Sequence, residues 1–153
     1  MIAVIQRVNS AVVFADGVKS GEIGKGLYIL LGVENGDTDK DAELLAAKIS
    51  KLRIFTDDND KMNLSVIDVG GEIMVVSNFT LLANYAHGNR PDYLNAAHPL
   101  EADRLYEKFK TLIAGYIGNI ASGVFGADMT TNLVTNGPVT IVMDSHVLSG
   151  GKK

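Results

Sequence analysis

Apolar and polar positions along the chain set out a series of short elements. Residues 2–8 alternate loosely, and residues 11–14 continue as a second short strand. Asp16-Gly17 lies between apolar residues, the strongest short-range signal for a two-residue hairpin, with residues 18–23 as the return strand. After Gly24-Lys25-Gly26, residues 27–33 form a nearly unbroken apolar run, as in a strand covered on both faces. Residues 38–53 then switch to helical spacing. Leu45, Ile49 and Leu52 share one face, Thr38 stands at the N-cap, and Asp41 follows three residues later as in a capping box.

The second half continues the pattern. Asp57-Asp58-Asn59-Asp60 is a turn cluster, and residues 65–69 and 73–76 flank Gly70-Gly71 as a second hairpin. Residues 84–98 are polar, carry Gly88 and Pro91, and read as a long loop of the kind that often serves function. Pro99 opens a second helix at a position where its missing N–H costs nothing. Leu105, Phe109, Leu112 and Tyr116 supply that helix's apolar stripe, and Gly115 and Gly118 mark its end. Residues 129–134 and 139–143 are the last strands, joined through Asn136-Gly137-Pro138. Many strands, two main helices and hairpin connections predict an α+β fold with mostly antiparallel sheet. One domain is expected over residues 1–145, with residues 146–153 as a flexible C-terminal tail.

Composition narrows the picture. A chain of 153 residues, 46% hydrophobic and 21% charged, has the make-up of a globular domain, and at this length roughly 70% of the unfolded surface is buried. Cysteine is absent, which removes disulfides, thiolate metal sites and cysteine nucleophiles. The first residues include Gln6 and Arg7 where a secretory segment needs an apolar run, and no stretch reaches the roughly 20 apolar residues that span a bilayer. A cytoplasmic protein without membrane association is expected. The net charge of −4 argues against a broad RNA-coating surface, though not against a grip on one RNA end.

Several chemical motifs fail on inspection. Gly24 and Gly26 are followed by Ile29 where a dinucleotide loop needs its third glycine, and no Walker sequence occurs. Asp57 and Asn59 begin like a calcium loop, but Lys61 stands at a ligand position and Met62 at the bend glycine. His87, His98 and His146 lack paired metal spacing, and there is no G-x-S-x-G elbow. No metal or cofactor is expected. His87 and His98 lie in or beside the long loop and suit either surface or site.

Two segments remain. Ser77-Asn78-Phe79-Thr80-Leu81 places two hydroxyls and an amide where an apolar strand emerges, a good position to hold a ligand on a rigid scaffold; equally, Ser77 and Thr80 can satisfy turn backbone. Asn136-Gly137-Pro138-Val139-Thr140 pairs a turn signal with a proline that removes a backbone donor. Its carbonyls have little side-chain cover, and its Gly-Pro bond is open to either isomer.

With the rest of the chain, these segments resemble the D-aminoacyl-tRNA deacylase family. The likeness runs from Met1 to about Asp144. It includes Ile5-Gln6-Arg7-Val8, Gly21-Glu22-Ile23-Gly24, Arg53-Ile54-Phe55, Lys61-Met62-Asn63-Leu64, Gly88-Asn89-Arg90-Pro91, Asn95-Ala96-Ala97 and Gly123-Val124-Phe125-Gly126-Ala127-Asp128-Met129. Two positions depart from it. Asn78 stands where the family has glutamine, and Thr135 stands where it has asparagine; Thr-Asn-Gly-Pro is similar to an animal sister family with a trans Gly-Pro bond and a looser stereochemical filter.

The resemblance implies a β-barrel-like domain that forms a homodimer and hydrolyses the ester of D-aminoacyl-tRNA at the 3′ end of the acceptor stem. Gly137-Pro138 of one subunit is expected to reach the partner's pocket beside Ser77, Asn78, Phe79 and Thr80, with Phe125 and Met129 as pocket walls. Backbone carbonyls there would reject L-enantiomers by steric exclusion, while glycine, having no side chain, would be accepted. Thr80 is a candidate nucleophile without an evident base. The favoured expectation is a water activated by the 2′-hydroxyl of the terminal ribose, with backbone N–H groups near Phe79 and Thr80 polarising the ester. The alternatives are a relaxed-chirality deacylase, a non-catalytic module that binds the tRNA end, and a hydrolase of other D-aminoacyl esters.

Overall fold

A computed structural model describes residues 1–150. The elements run β1 (Ile2–Ala15), β2 (Val18–Ile23), β3 (Gly26–Gly32), α1 (Asp39–Ser50), β4 (Phe55–Thr56), β5 (Met62–Leu64), β6 (Glu72–Ser77), α2 (Pro99–Ile117), β7 (Ala121–Ser122), β8 (Met129–Asp144) and α3 (Ser145–Leu148). Six strands form one sheet in the order β2-β1-β3-β6-β7, with β8 also paired to β1. The ends of that path approach each other, and the Ser20 hydroxyl donates to the Ser122 carbonyl at 3.2 Å. The sheet is thus curled into a nearly closed barrel, and the expected α+β class holds.

Long β1 organises the barrel. It runs antiparallel to β2, β3 and β8, and the turn to β2 uses Asp16 and Gly17 with φ of 48° and 80°, as the hairpin signal predicts. Alternation along β3 and β6 is buried on both faces. Leu27, Ile29, Ile73 and Val75 pack under Leu45, Ile49, Phe109 and Ile113 of the helices, while Tyr28, Met74 and Val76 point into the barrel with Val8, Ala11 and Val13. Burial of an aliphatic side chain stabilises by about 1.5–3 kcal/mol, so these two layers dominate the fold.

Helix α1 starts where its cap predicts, with the Thr38 N–H and hydroxyl donating to the Asp41 carboxylate at 2.8 and 2.9 Å. It ends at Ser50, three residues short of the expectation. Helix α2 starts at Pro99 and stops at Gly118, whose φ is 92°; Gly115 lies within it.

Two expectations need correction. Residues 65–69 and 73–76 do not form a hairpin. Residues 65–69 are a turn in which the Ser65 N–H and hydroxyl donate to Asp68, and β6 instead runs parallel to β3, with Leu31 opposite Ser77. A parallel pair needs a long crossover, and α1 lies in it. Residues 129–134 and 139–143 are one strand rather than two. Gln6 pairs with Thr140 and Val8 with Thr135, so Arg7 alone faces residues 136–139, which bulge out of the ladder. A short helix stands at the junction of the expected domain and tail. Ser145 is fully buried and opens α3, where its hydroxyl donates to Asp41 at 2.7 Å. Residues 151–153 of the expected tail lie outside the described residues.

Candidate functional site

Strand β6 ends at Ser77, and the chain turns at once into a single 3-10 turn over Phe79–Leu82. The Asn78 N–H donates to the Leu31 carbonyl at 2.8 Å, extending the ladder by one residue, and Gly32 allows the turn to lie close against β3. The Asn78 side chain caps the turn. Its Oδ1 accepts from the Thr80 N–H at 3.2 Å and from the Thr80 hydroxyl at 2.5 Å. Phe79, as first residue of the turn, has no carbonyl one turn behind it, and its N–H has no partner among the described residues.

Beneath this turn opens a cavity of about 690 Å³. Ser77, Asn78 and Phe79 line it with Leu31 and Val33. Tyr93, Leu94, Ala96, Ala97 and His98 come from the long loop, Phe125, Gly126, Ala127 and Met129 from the segment before and at the start of β8, and Pro99, Ala102 and Tyr106 from α2. Phe79 and Tyr93 meet edge to face with ring centroids 5.0 Å apart, and Tyr106 tilts against Phe125 at 6.0 Å. The Tyr106 hydroxyl donates to the Val75 carbonyl at 2.9 Å. Burial, reinforced by the Glu107 charge, pushes its phenol well above the usual range, so it stays neutral. His98 caps α2, its Nδ1 accepting from the Leu100 N–H at 3.4 Å.

Of the residues singled out in the sequence, Ser77, Asn78, Phe79, Phe125 and Met129 line this cavity. Thr80 is exposed on the turn above it and does not line it. Gly137 and Pro138 do not line it either. They lie exposed at the β8 bulge, and their peptide bond is cis. Arg7 holds that bulge, donating from Nε to the Asn136 carbonyl and from Nη2 to the Asn136 side chain, both at 3.2 Å, and from Nη1 to the Ile54 carbonyl at 2.7 Å. A Cβ on Gly137, where φ is 132°, would meet the Val139 nitrogen at 2.6 Å, so only glycine fits. Arg7, Tyr93 and Tyr106 were not legible as site residues. Their roles depend on partners 31 to 129 residues away along the chain, or on a loop of no fixed period.

Glu34, Asp37 and His146 bring one potential metal ligand each within 4.8 Å of one another. Asp37 is already engaged there by the Met1 ammonium at 2.6 Å.

Fold and cavity together define a class: a barrel-like α+β protein with an apolar cleft under a strand-end turn. A model of the D-Tyr-tRNA(Tyr) deacylase family matches residues 4–144. The D-aminoacyl-tRNA deacylase of Opitutus terrae is 53% identical over 147 residues, covering 95% of this chain and 98% of the relative. That of Flavobacterium johnsoniae is 52% identical over 146 residues, covering 95% and 97%. The solved structure of c-Myc DNA Unwinding Element Binding Protein superposes with a TM-score of 0.88 at 37% identity, covering 94% of this chain and 98% of that one. The chain belongs to the D-Tyr-tRNA(Tyr) deacylase family, and with it to the hydrolases of carboxylic ester bonds.

Proposed function

We propose that this protein cleaves the ester of D-aminoacyl-tRNA in the cavity under Phe79, as a homodimer in which each Gly137-Pro138 serves the partner's cavity. One observation carries the cross-subunit part. Gly137 and Pro138 are exposed, follow directly on the Asn136 that Arg7 holds, and are absent from the cavity of their own chain. A bulge anchored this firmly is suited to act on a surface outside its own subunit.

Selection then works by exclusion. A substrate fixed by its amino group and carbonyl can direct its side chain one of two ways, and backbone carbonyls filling one of them exclude the L-enantiomer. Many D-amino acids pass, and so does glycine.

For the chemistry, water attacks the ester carbonyl, the bond to the 3′ oxygen breaks, and a proton returns to that oxygen, giving free amino acid and tRNA. The Phe79 N–H is the available backbone donor toward the developing oxyanion. The Thr80 N–H is taken by Asn78, and the Thr80 hydroxyl donates to the same oxygen rather than to a base. This favours water activated by the ribose 2′-hydroxyl over a threonine nucleophile. The apolar walls Phe125 and Met129 accept side chains without reading them. Among the described residues no helix is long and apolar enough to cross a membrane; work in the cytoplasm, where tRNA is charged, follows from the proposed substrate.

Hydrolysis of D-tyrosyl-, L-tyrosyl- and glycyl-tRNA by the purified protein, side by side, tests the reading. Loss of the D and glycyl esters with the L ester intact is expected. Loss of all three would replace the strict filter with a relaxed one, and loss of none would leave a tRNA-end binding module.

A further inference from the structure

The loop that precedes Tyr93 is unused by this chemistry, yet it is built firmly. The Asn84 N–H donates to the Asp92 carbonyl at 2.9 Å, the Asp92 N–H returns to the Asn84 carbonyl at 3.0 Å, and the Asn84 side-chain amide reaches the Asp92 carboxylate at 3.0 Å. The other Asp92 oxygen accepts from the Leu94 N–H at 3.2 Å, while the Asn35 side chain holds the Leu94 carbonyl at 2.8 Å. A loop closed at its base has lost much of its freedom before a partner arrives, which lowers the entropic cost of binding.

The loop displays an aromatic ring and a cation together. Tyr85 is 79% exposed, although a tyrosine ring is mostly apolar. Arg90 is exposed and has no carboxylate partner among the described residues. Some other cations are paired locally, as Lys19 is with Glu22 and Lys110 with Glu107. In a chain of net charge −4, an arginine without a carboxylate partner, on a stitched loop that leads into the cavity, is placed to meet an anion. The loop leads directly into Tyr93, which lines the cavity and meets Phe79 at its edge.

We propose that residues 85–90 seat the single-stranded 3′ end of the RNA just ahead of the terminal nucleotide. Arg90 pairs with a backbone phosphate and Tyr85 stacks on a base. An aromatic face with a neighbouring cation is the usual platform for single-stranded nucleic acid, indifferent to base identity. One phosphate contact and one stacked base form a footprint small enough for an acidic protein. This rests on the deacylase reading, since it places the reacting ester in the adjoining cavity.

The test uses Arg90→Ala and Tyr85→Ala in the full chain with two kinds of probe. Binding of uncharged tRNA should weaken about tenfold in each, and the slope of log Kd against log salt should fall by about 1 for Arg90→Ala only. Hydrolysis of D-tyrosyl-adenosine, which has neither the phosphate nor the preceding base, should match wild type. Unchanged tRNA affinity in both variants overturns the proposal. So does an equal loss on D-tyrosyl-adenosine, which would put the loop in the ester site, or a change in solution mass, which would make it a subunit contact. A wild type that cleaves neither ester defeats the deacylase reading instead, and the tRNA-binding arm still decides the role of the loop.

Discussion

The side-chain oxygen of Asn78 takes both hydrogens that Thr80 can donate, its backbone N–H at 3.2 Å and its hydroxyl at 2.5 Å. A hydroxyl committed this way is a brace for the turn. Thr80→Ala should therefore keep deacylation within about tenfold of wild type, the loss of roughly one hydrogen bond. Asn78→Ala removes the acceptor for both donors and should cost more, through looser placement of the Phe79 N–H. Single-turnover rates on D-tyrosyl-tRNA separate the cases. A fall of more than about 10³-fold in Thr80→Ala would mark a nucleophile instead.

Arg7 fixes the Gly137-Pro138 bulge through Asn136, and its third hydrogen bond, to Ile54, anchors the guanidinium itself. Arg7→Lys keeps the charge but cannot span these acceptors with one planar fork. The expected outcome is a selective one: the ratio of D to L ester cleavage falls by about tenfold or more, while cleavage of glycyl-tRNA, which meets no exclusion, changes little. Parallel loss on all three esters would mean that Arg7 matters only for folding.

The same two sites show where sequence reading succeeds and where it stops. Local signals survive folding: the capping box at Thr38 and Asp41, the hairpin at Asp16-Gly17, the start of α2 at Pro99 and the double-faced burial of residues 27–33 all depend on neighbours a few residues away. Partner choice does not. Nothing in residues 73–76 says that they pair with β3 rather than fold back across Gly70-Gly71, because the parallel register is set by packing under α1 and α2. The continuity of β8 through Pro138 depends on a bulge opposite Arg7 in a strand 129 residues earlier. The cavity was half legible. Ser77 to Phe79, Phe125 and Met129 stand in two recognisable segments, whereas Tyr93 and Tyr106 become walls only when the long loop and α2 fold over the sheet.

Acid stability should trace to Asp41. Burial works against its ionised form, but the Ser145 hydroxyl and the N–H and hydroxyl of Thr38, helped by the Met1 ammonium, outweigh burial and hold its carboxyl below the ordinary value of 3.8. A carboxylate depressed in the folded state stabilises fully above 3.8, and that contribution is lost as pH falls through the folded value. Asp41→Asn should cost about 2 kcal/mol at neutral pH. The gap to wild type should close at an acid pH below the folded value. Urea midpoints at the two pH values check this, and a gap that stayed constant would assign the loss to packing.

Two glycine substitutions should move stability in opposite directions. Gly26 pairs with Glu72 across the parallel β3–β6 contact, and a Cβ there would fall on the Glu72 carbonyl, backbone that cannot swing aside. Gly26→Ala should destabilise by more than about 3 kcal/mol, among the larger single-residue losses. Because β6 ends at Ser77, the strand that carries the Phe79 turn would shift with it, and activity should fall even in the fraction that remains folded. Gly115 is the reverse case: exposed within α2, with ordinary φ and nothing within 4 Å of an added Cβ. Gly115→Ala should stabilise by about 0.5–1 kcal/mol through helix propensity alone, with activity unchanged. Denaturant midpoints and D-tyrosyl-tRNA turnover measured on both variants decide the matter. Equal destabilisation would mean that backbone freedom, rather than the β3–β6 approach, governs both sites.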